Sequence, residues 1–185
     1  MEESDIIMNI IETKIKDLFI LQPKVFGDNR GYFMEAYKQN WFKEHFPHIN
    51  FIQDNESQST KGVLRGLHYQ VGEFAQTKLV RVIQGEVLDV AVDCRKESPT
   101  YRQHVSAILS AENKTQFLIP KGFAHGFLVL SDTAIFSYKV DAPYSPENES
   151  GIIWNDPNLN IDWKLKEEEI FLSEKDKELP YFIKK

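Results

Sequence analysis

With 185 residues, 42% apolar content and a formal charge of −6, the chain is long enough to bury a full core and too apolar to be a disordered segment. The negative balance excludes a broad nucleic-acid surface, which needs a basic face. It leaves room for one anionic small molecule held by "KGVLRG" or "KLVRV", clusters that equally suit solvated strand edges.

No apolar run approaches the ~20 residues that cross a bilayer. The acidic start "MEESDIIMNI" lacks a signal peptide's basic region. Cys94 is the single cysteine, so no internal disulfide forms and the residue reads as small, buried and apolar. A cytoplasmic protein that binds neither membrane nor nucleic acid is expected.

The first predicted element is a short helix near residues 39 to 46 in "QNWFKEHFPHIN". It ends before Pro47, because the residue preceding a proline is pushed out of the α region. From residue 63 to about 140 apolar positions recur with period two between turn residues, the pattern of strands. "KLVRVIQGEVLDVAVD" reads as a hairpin turning at Gln84-Gly85-Glu86, where Gly85 permits positive φ. Within "EVLDVAVD", Leu88, Val90 and Val92 point one way and Asp89 and Asp93 the other, which predicts one wet face. "TQFLIP", "HGFLVL" and "AIFSYKV" follow as further strands. Near the end, Ser173 with Asp176 three residues on resembles a capping box that opens a last helix, within a helical segment over 164–185. No repeat or linker divides the chain. The expectation is a single mainly β domain over 1–185, a jelly roll or barrel with short flanking helices.

One stretch invites chemistry. "KGVLRGLHYQ" sets His68 at the end of an apolar strand, three residues after Arg65. In an unbroken strand residues three apart face opposite sides. Both reach one ligand only if the strand bends or bulges, and Gly66 is placed to allow that.

Six blocks carry a resemblance. "VFGDNRGYFMEAY", "QDNESQS" with "GVLRGLHYQ", "KLVRVIQGEVLDVAVD" with "RKESPT", "IPKGFAHGFLVLSD", "YKV" with "YSP", and "GIIWNDPNLNIDW" run in order over roughly residues 20 to 176. Together they resemble the dTDP-4-dehydrorhamnose 3,5-epimerase family. The resemblance implies a cupin-type double-stranded β-helix, a homodimer with residues 1–50 at its interface, and no metal or organic cofactor. It implies as substrate dTDP-4-dehydro-6-deoxy-D-glucose, epimerised at carbons 3 and 5 toward dTDP-L-rhamnose. Cupins often bind metal through His-x-His and a following glutamate. Here the run is "HYQVGE", so Gln70 replaces the second histidine, Glu73 is a poor substitute, and a metal-free site is expected.

Inverting a carbon beside a ketone requires a base, an acid on the opposite face and a group that holds the enolate oxygen. By resemblance His68 is the base, Tyr138 the proton donor, Lys78 the group facing the ketone oxygen and Asp176 the carboxylate paired with His68. Read from the residues alone, Tyr138 also suits a core aromatic beside Phe136, Lys78 a surface lysine, and Asp176 a simple capping residue. Arg65 and Lys175 match contacts to the diphosphate. Gln53, Asp54, Asn55, His125 and Glu149 match ligand contacts, and Tyr144 matches the aromatic that stacks on thymine; His125 also suits a core position. Arg30 and Glu35 match residues that reach the partner subunit's site. A single-carbon epimerase, a ketoisomerase, a metal-dependent cupin enzyme and a non-catalytic sugar-nucleotide binding module remain the competing readings.

Overall fold

The computed structural model describes residues 7–182. Strands β1 (Met8–Glu12), β2 (Phe19–Pro23), β3 (Val25–Asp28) and β4 (Gly31–Met34) precede helix α1 (Gln39–His45). Then come β5 (Gln53–Thr60), β6 (Leu64–Gln70), β7 (Lys78–Gln84), β8 (Glu86–Asp93), β9 (His104–Ser110) and β10 (Gln116–Ile119). Strands β11 (Phe123–Val129), β12 (Thr133–Val140) and β13 (Glu149–Gly151) and a last turn of helix, α2 (Glu174–Lys177), complete the order. A six-stranded sheet, β1-β2-β10-β7-β12-β5, faces a five-stranded one, β13-β6-β11-β8-β9. All ladders between these strands are antiparallel. This is the cupin-type jelly roll, with short flanking helices.

Period-two alternation builds the interior. Val80, Val82, Phe117, Phe127, Ala134 and Phe136 point between the sheets with Val87 and Ala91. Each large side chain buried there stabilises the fold by about 1.5–3 kcal/mol. Helix α1 lays Trp41 and Phe42 on the outside of the six-stranded sheet against Leu21, Leu79 and Leu118. Of residues 7–50, the strands β1 and β2 and helix α1 therefore belong to this chain's own core. The exception is the β3–β4 hairpin, whose Val25, Phe26, Tyr32 and Phe33 are exposed.

Three expectations are corrected: the hairpin at Gly85, the wet face of β8 and the helical segment near the C-terminus. The turn at Gly85 does not join a hairpin: β7 pairs with β10 and β12, while β8 pairs with β9 and β11 in the other sheet. Gly85 (φ 78°) carries the chain across the sandwich, where a Cβ would stand 2.1 Å from the Thr133 carbonyl oxygen. Nor has β8 a wet face, because both of its sides are covered. Leu88, Val90 and Val92 pack under Ile152, Trp154, Leu159 and Trp163 of the C-terminal segment, while Asp89 and Asp93 face inward at 0% exposure. The C-terminal segment itself is mostly irregular, with one 3-10 turn and the single turn of α2. Among the described residues no helix is long and apolar enough to cross a membrane.

A buried carboxylate is tolerated only when its charge is met. Asp93 accepts bonds from Arg95 Nε (2.9 Å), Arg95 Nη2 (3.0 Å), Ser98 Oγ (2.6 Å) and Thr100 Oγ1 (2.7 Å). Burial alone would raise its pKa, but these partners outweigh burial and hold it at about 2, against an ordinary 3.8. Its stabilisation is complete above pH 3.8 and fades as pH falls toward 2. Asp93→Ala should therefore lower unfolding stability by about 3 kcal/mol at neutral pH, and urea titrations should show the deficit shrinking between pH 4 and 2. An unchanged midpoint at pH 7 would contradict the buried network.

Candidate active site

Between the sheets lies a cavity of about 600 Å³, roofed by residues 171–176. Its two walls differ in chemistry. The five-stranded sheet contributes Arg65 and His68 from β6 and His125 from β11; the six-stranded sheet contributes Lys78 from β7 and Tyr138 from β12. His68 and Tyr138 thus line one cavity from facing sheets.

Arg65 and His68 share the cavity because β6 bulges. The register with β11 shifts between His125 and Phe127, and Gly66 (φ 115°) sits at the shift. A Cβ on Gly66 would lie 2.6 Å from the His125 carbonyl oxygen. Beyond the bulge His125 stands opposite His68, and Arg65 Nε donates to Ser59 Oγ at 3.1 Å.

Each histidine has its own carboxylate. His68 Nε2 donates to Asp176 Oδ1 at 2.7 Å, which leaves the neutral ring's lone pair on Nδ1. That nitrogen is buried and lies 3.3 Å from Glu149 Oε1 without forming a hydrogen bond. Asp176 is held by both of its halves. Its backbone N–H donates to Ser173 Oγ (3.1 Å), the helix cap, while its side chain turns inward and also accepts from the Gly66 N–H (3.4 Å). Burial would raise the Asp176 pKa, but the bond from His68 leads the opposing effects and the pKa lies below the usual value. His125 Nε2 donates to both oxygens of Asp89, at 3.0 and 2.9 Å.

The remaining groups are tuned by burial and charge. Desolvation brings the Lys78 ammonium down to about 8, against the opposing pull of Asp89 and Glu149. Burial raises the Tyr138 phenol above its ordinary 10, with Arg65 working the other way. Glu149 Oε2 accepts from Tyr144 OH at 2.8 Å and from Lys175 Nζ. Burial opposes ionisation of Glu149, but these donors and His68 prevail and its pKa falls.

The cavity therefore gathers Arg65, His68, Lys78, His125, Tyr138, Tyr144, Glu149, Lys175 and Asp176. It does not gather Gln53, Asp54, Asn55, Arg30 or Glu35. Gln53 bonds Asn55, and Asp54 pairs with Lys139 on the sheet's outer side. Arg30 pairs with Asp28 at the hairpin turn and Glu35 with Lys38. Sequence reasoning missed Ser57 and Asp89; an acid alternating with valines was the available signal for Asp89, misread as solvent-facing. Gln70, in the position of a second metal-binding histidine, turns its amide onto Phe74, Pro143 and Ser145. Among the described residues no group of three or more His, Cys, Asp or Glu could hold a metal ion. Cys94 is half-buried, and burial pushes its thiol up to about 12.

The cupin-type jelly roll thus encloses two carboxylate-backed histidines, a phenol and a desolvated lysine, a set of groups able to take and give protons. The profile of the dTDP-4-dehydrorhamnose 3,5-epimerase family matches residues 12–184. Over 170 residues the chain is 56% identical to the dTDP-4-dehydrorhamnose 3,5-epimerase of Shigella flexneri, covering 91% of this chain and 93% of that one. It resembles the crystal structure of the dTDP-4-dehydrorhamnose 3,5-epimerase from Elizabethkingia anophelis NUHP1 with a TM-score of 0.91 at 50% identity, over 96% and 97% of the two chains. The dTDP-6-deoxy-D-glucose-3,5-epimerase of Legionella pneumophila, solved with dTDP-4-keto-L-rhamnose, gives 0.90 at 53% identity over 94% and 92%. The chain belongs to the dTDP-4-dehydrorhamnose 3,5-epimerase family and is an isomerase that epimerises a dTDP-linked sugar.

Asp89 supplies negative potential to both His125 and Lys78. Asp89→Asn should drop the Lys78 pKa below about 8, followed by side-chain nitrogen NMR of labelled lysine, and cost about 3 kcal/mol in stability. A Lys78 titration that stays in place would show that Asp89 does not govern it.

Proposed function

We propose that the enzyme epimerises dTDP-4-dehydro-6-deoxy-D-glucose at carbons 3 and 5 to dTDP-4-dehydro-L-rhamnose, with His68 as base and Tyr138 as acid. The observation that carries this reading is their placement on facing walls of one cavity. His68 removes the proton from a carbon beside the ketone; the C–H electrons pass into the carbonyl, whose oxygen becomes an enolate. Asp176 fixes the ring's orientation and, with Glu149, meets the positive charge the imidazole acquires. Lys78 stabilises the enolate oxygen as charge develops. Tyr138 then gives its proton to the opposite face of the same carbon, so the carbon regains four bonds with inverted configuration. A placed acid or base of this kind is worth roughly 10²–10⁴ in rate.

Arg65 and Lys175 bind the diphosphate, where charge-assisted bonds are strong, and Lys175 exchanges Glu149 for the phosphate oxygens. Tyr144, exposed at the mouth, stacks on the thymine, and His125 contacts the sugar. Arg30 and Glu35 serve the partner's cavity in a homodimer, and Gln53, Asp54 and Asn55 contact ligand at that shared edge. Support comes from the hairpin that carries Arg30 and ends next to Glu35: Val25, Phe26, Tyr32 and Phe33 form an exposed apolar patch on it, the kind of surface that marks an interaction site.

In heavy water, turnover of the dTDP-4-keto sugar should place deuterium at carbons 3 and 5, seen by NMR, and His68→Asn should reduce that labelling on the order of 10³-fold. Label at one carbon only would make the protein a single-carbon epimerase. Label undiminished in His68→Asn would remove His68 as base.

The Lys78 pKa sets a second expectation. The ammonium form is the active one, so kcat/KM should fall as pH rises through about 8 rather than 10.5. Lys78→Arg, a cation that does not titrate in this range, should lose that limb. For stability the sign is reversed: burial disfavours the charged lysine, so its cost is present below pH 8 and relieved between 8 and 10.5. A basic limb near 8 that survives Lys78→Arg would assign it to another group.

A further inference from the structure

Gln70 ends β6 two residues after His68 and is 5% exposed. Its amide contacts only backbone. Nε2 donates to the carbonyl oxygens of Phe74 (2.7 Å) and Pro143 (3.0 Å), and Oε1 accepts from the Ser145 N–H (2.7 Å). Pro143 and Ser145 are the residues on either side of Tyr144. One buried side chain thus grips the chain immediately before and after an aromatic ring that is itself 58% exposed.

The ring has little else to hold it. Its own bond runs from the hydroxyl to Glu149 at 2.8 Å. The connection from Val140 to Glu149 is also tied at its ends, by Gln76 Nε2 to the Ala142 carbonyl (2.8 Å), by the Thr77 N–H and Lys121 to Asp141, by the Val71 N–H to the Asn148 carbonyl and by Asn148 to Ser145. None of these reaches both flanks of Tyr144. An exposed ring that must meet a planar ligand binds best when its backbone is already fixed, because ordering it on binding subtracts from affinity.

We propose that Gln70 is a positioning residue for Tyr144: its amide clamps the two peptide groups flanking the ring and so sets affinity for the nucleotide base, with no part in the proton transfers. The proposal rests on the reading of Tyr144 as the base-stacking residue. It requires the amide itself. Glutamate could accept from Ser145 but would set a carboxylate against the Phe74 and Pro143 carbonyls, and methionine of similar shape offers neither donor.

The test compares Gln70→Glu, Gln70→Met, Tyr144→Ala and the Gln70→Met/Tyr144→Ala double variant. Calorimetric Kd for dTDP is measured on each, with KM and kcat for the keto sugar and a thermal melt to establish folding. The expected result is a rise of about tenfold in Kd and KM for both Gln70 variants, with kcat within about twofold. The double variant should bind no worse than Tyr144→Ala alone, because a clamp on an absent ring has nothing to hold. Gln70 variants that bind dTDP like the wild type while Tyr144→Ala weakens it would overturn the clamp alone. So would a loss confined to kcat, or effects that add fully in the double variant. Wild-type dTDP affinity in Tyr144→Ala would overturn the stacking reading and the clamp with it. Should Gln70→Met fail to fold, Gln70→Glu carries the comparison with Tyr144→Ala.

Discussion

The site depends on one contact, the 2.7 Å bond between His68 Nε2 and Asp176 Oδ1, made between residues 108 apart in the chain. A carboxylate this enclosed is stable only where donors meet it. Two donors supply this, the imidazole and the Gly66 N–H, while the Ser173 cap holds the backbone of Asp176 in place. Both donors lie at the bulge in β6, which places His68 and the Gly66 amide against Asp176. The roof of the cavity is therefore fastened to β6 by the same contact that orients the His68 ring.

Around that contact the sandwich sorts charge by depth. The carboxyls of Asp176 and Glu149 are held ionised by their donors, while burial keeps Tyr138 protonated and weakens the hold of Lys78 on its proton. Anions therefore cluster beside the imidazole, and proton donors line the opposite sheet. A jelly roll suits this division, because successive strands alternate between sheets and deliver neighbouring stretches of sequence to opposite walls. The crossing at Gly85 is an instance: it sends Lys78 with β7 to one wall and Asp89 with β8 to the other.

Much of this was legible in the sequence, and the failures have physical causes. Period-two alternation located β7, β8, β11 and β12, since alternation is a local property of a pleated strand. Pairing is not local, so two strands joined by a glycine turn read as a hairpin although they lie in different sheets. The misplaced Asp89 and Asp93 share that origin: polarity marks a wet face only when nothing covers it, and here a neighbouring histidine and arginine answer the charges. Strand β5 went unseen because "QDNESQST" has no apolar side to alternate; its inner residues Ser57 and Ser59 lie at or beside the cavity. For Asp176 the helix cap and the pairing with His68 stood as rivals, yet its backbone bonds Ser173 while its side chain bonds His68, so both contacts are present. Arg30, Glu35, Gln53, Asp54 and Asn55 came from resemblance to the family, and the fold of one chain does not bring them to its cavity.

In the proposed chemistry hydrogen leaves the sugar toward the imidazole wall and returns from the phenol wall. The most direct measurement is turnover by Tyr138→Phe in heavy water, with configuration and label at carbons 3 and 5 read in the same NMR spectrum. Two-sided transfer predicts deuterium entering with the starting configuration kept, because His68 still exchanges the proton on its own side. Inverted product formed at the wild-type rate would contradict it.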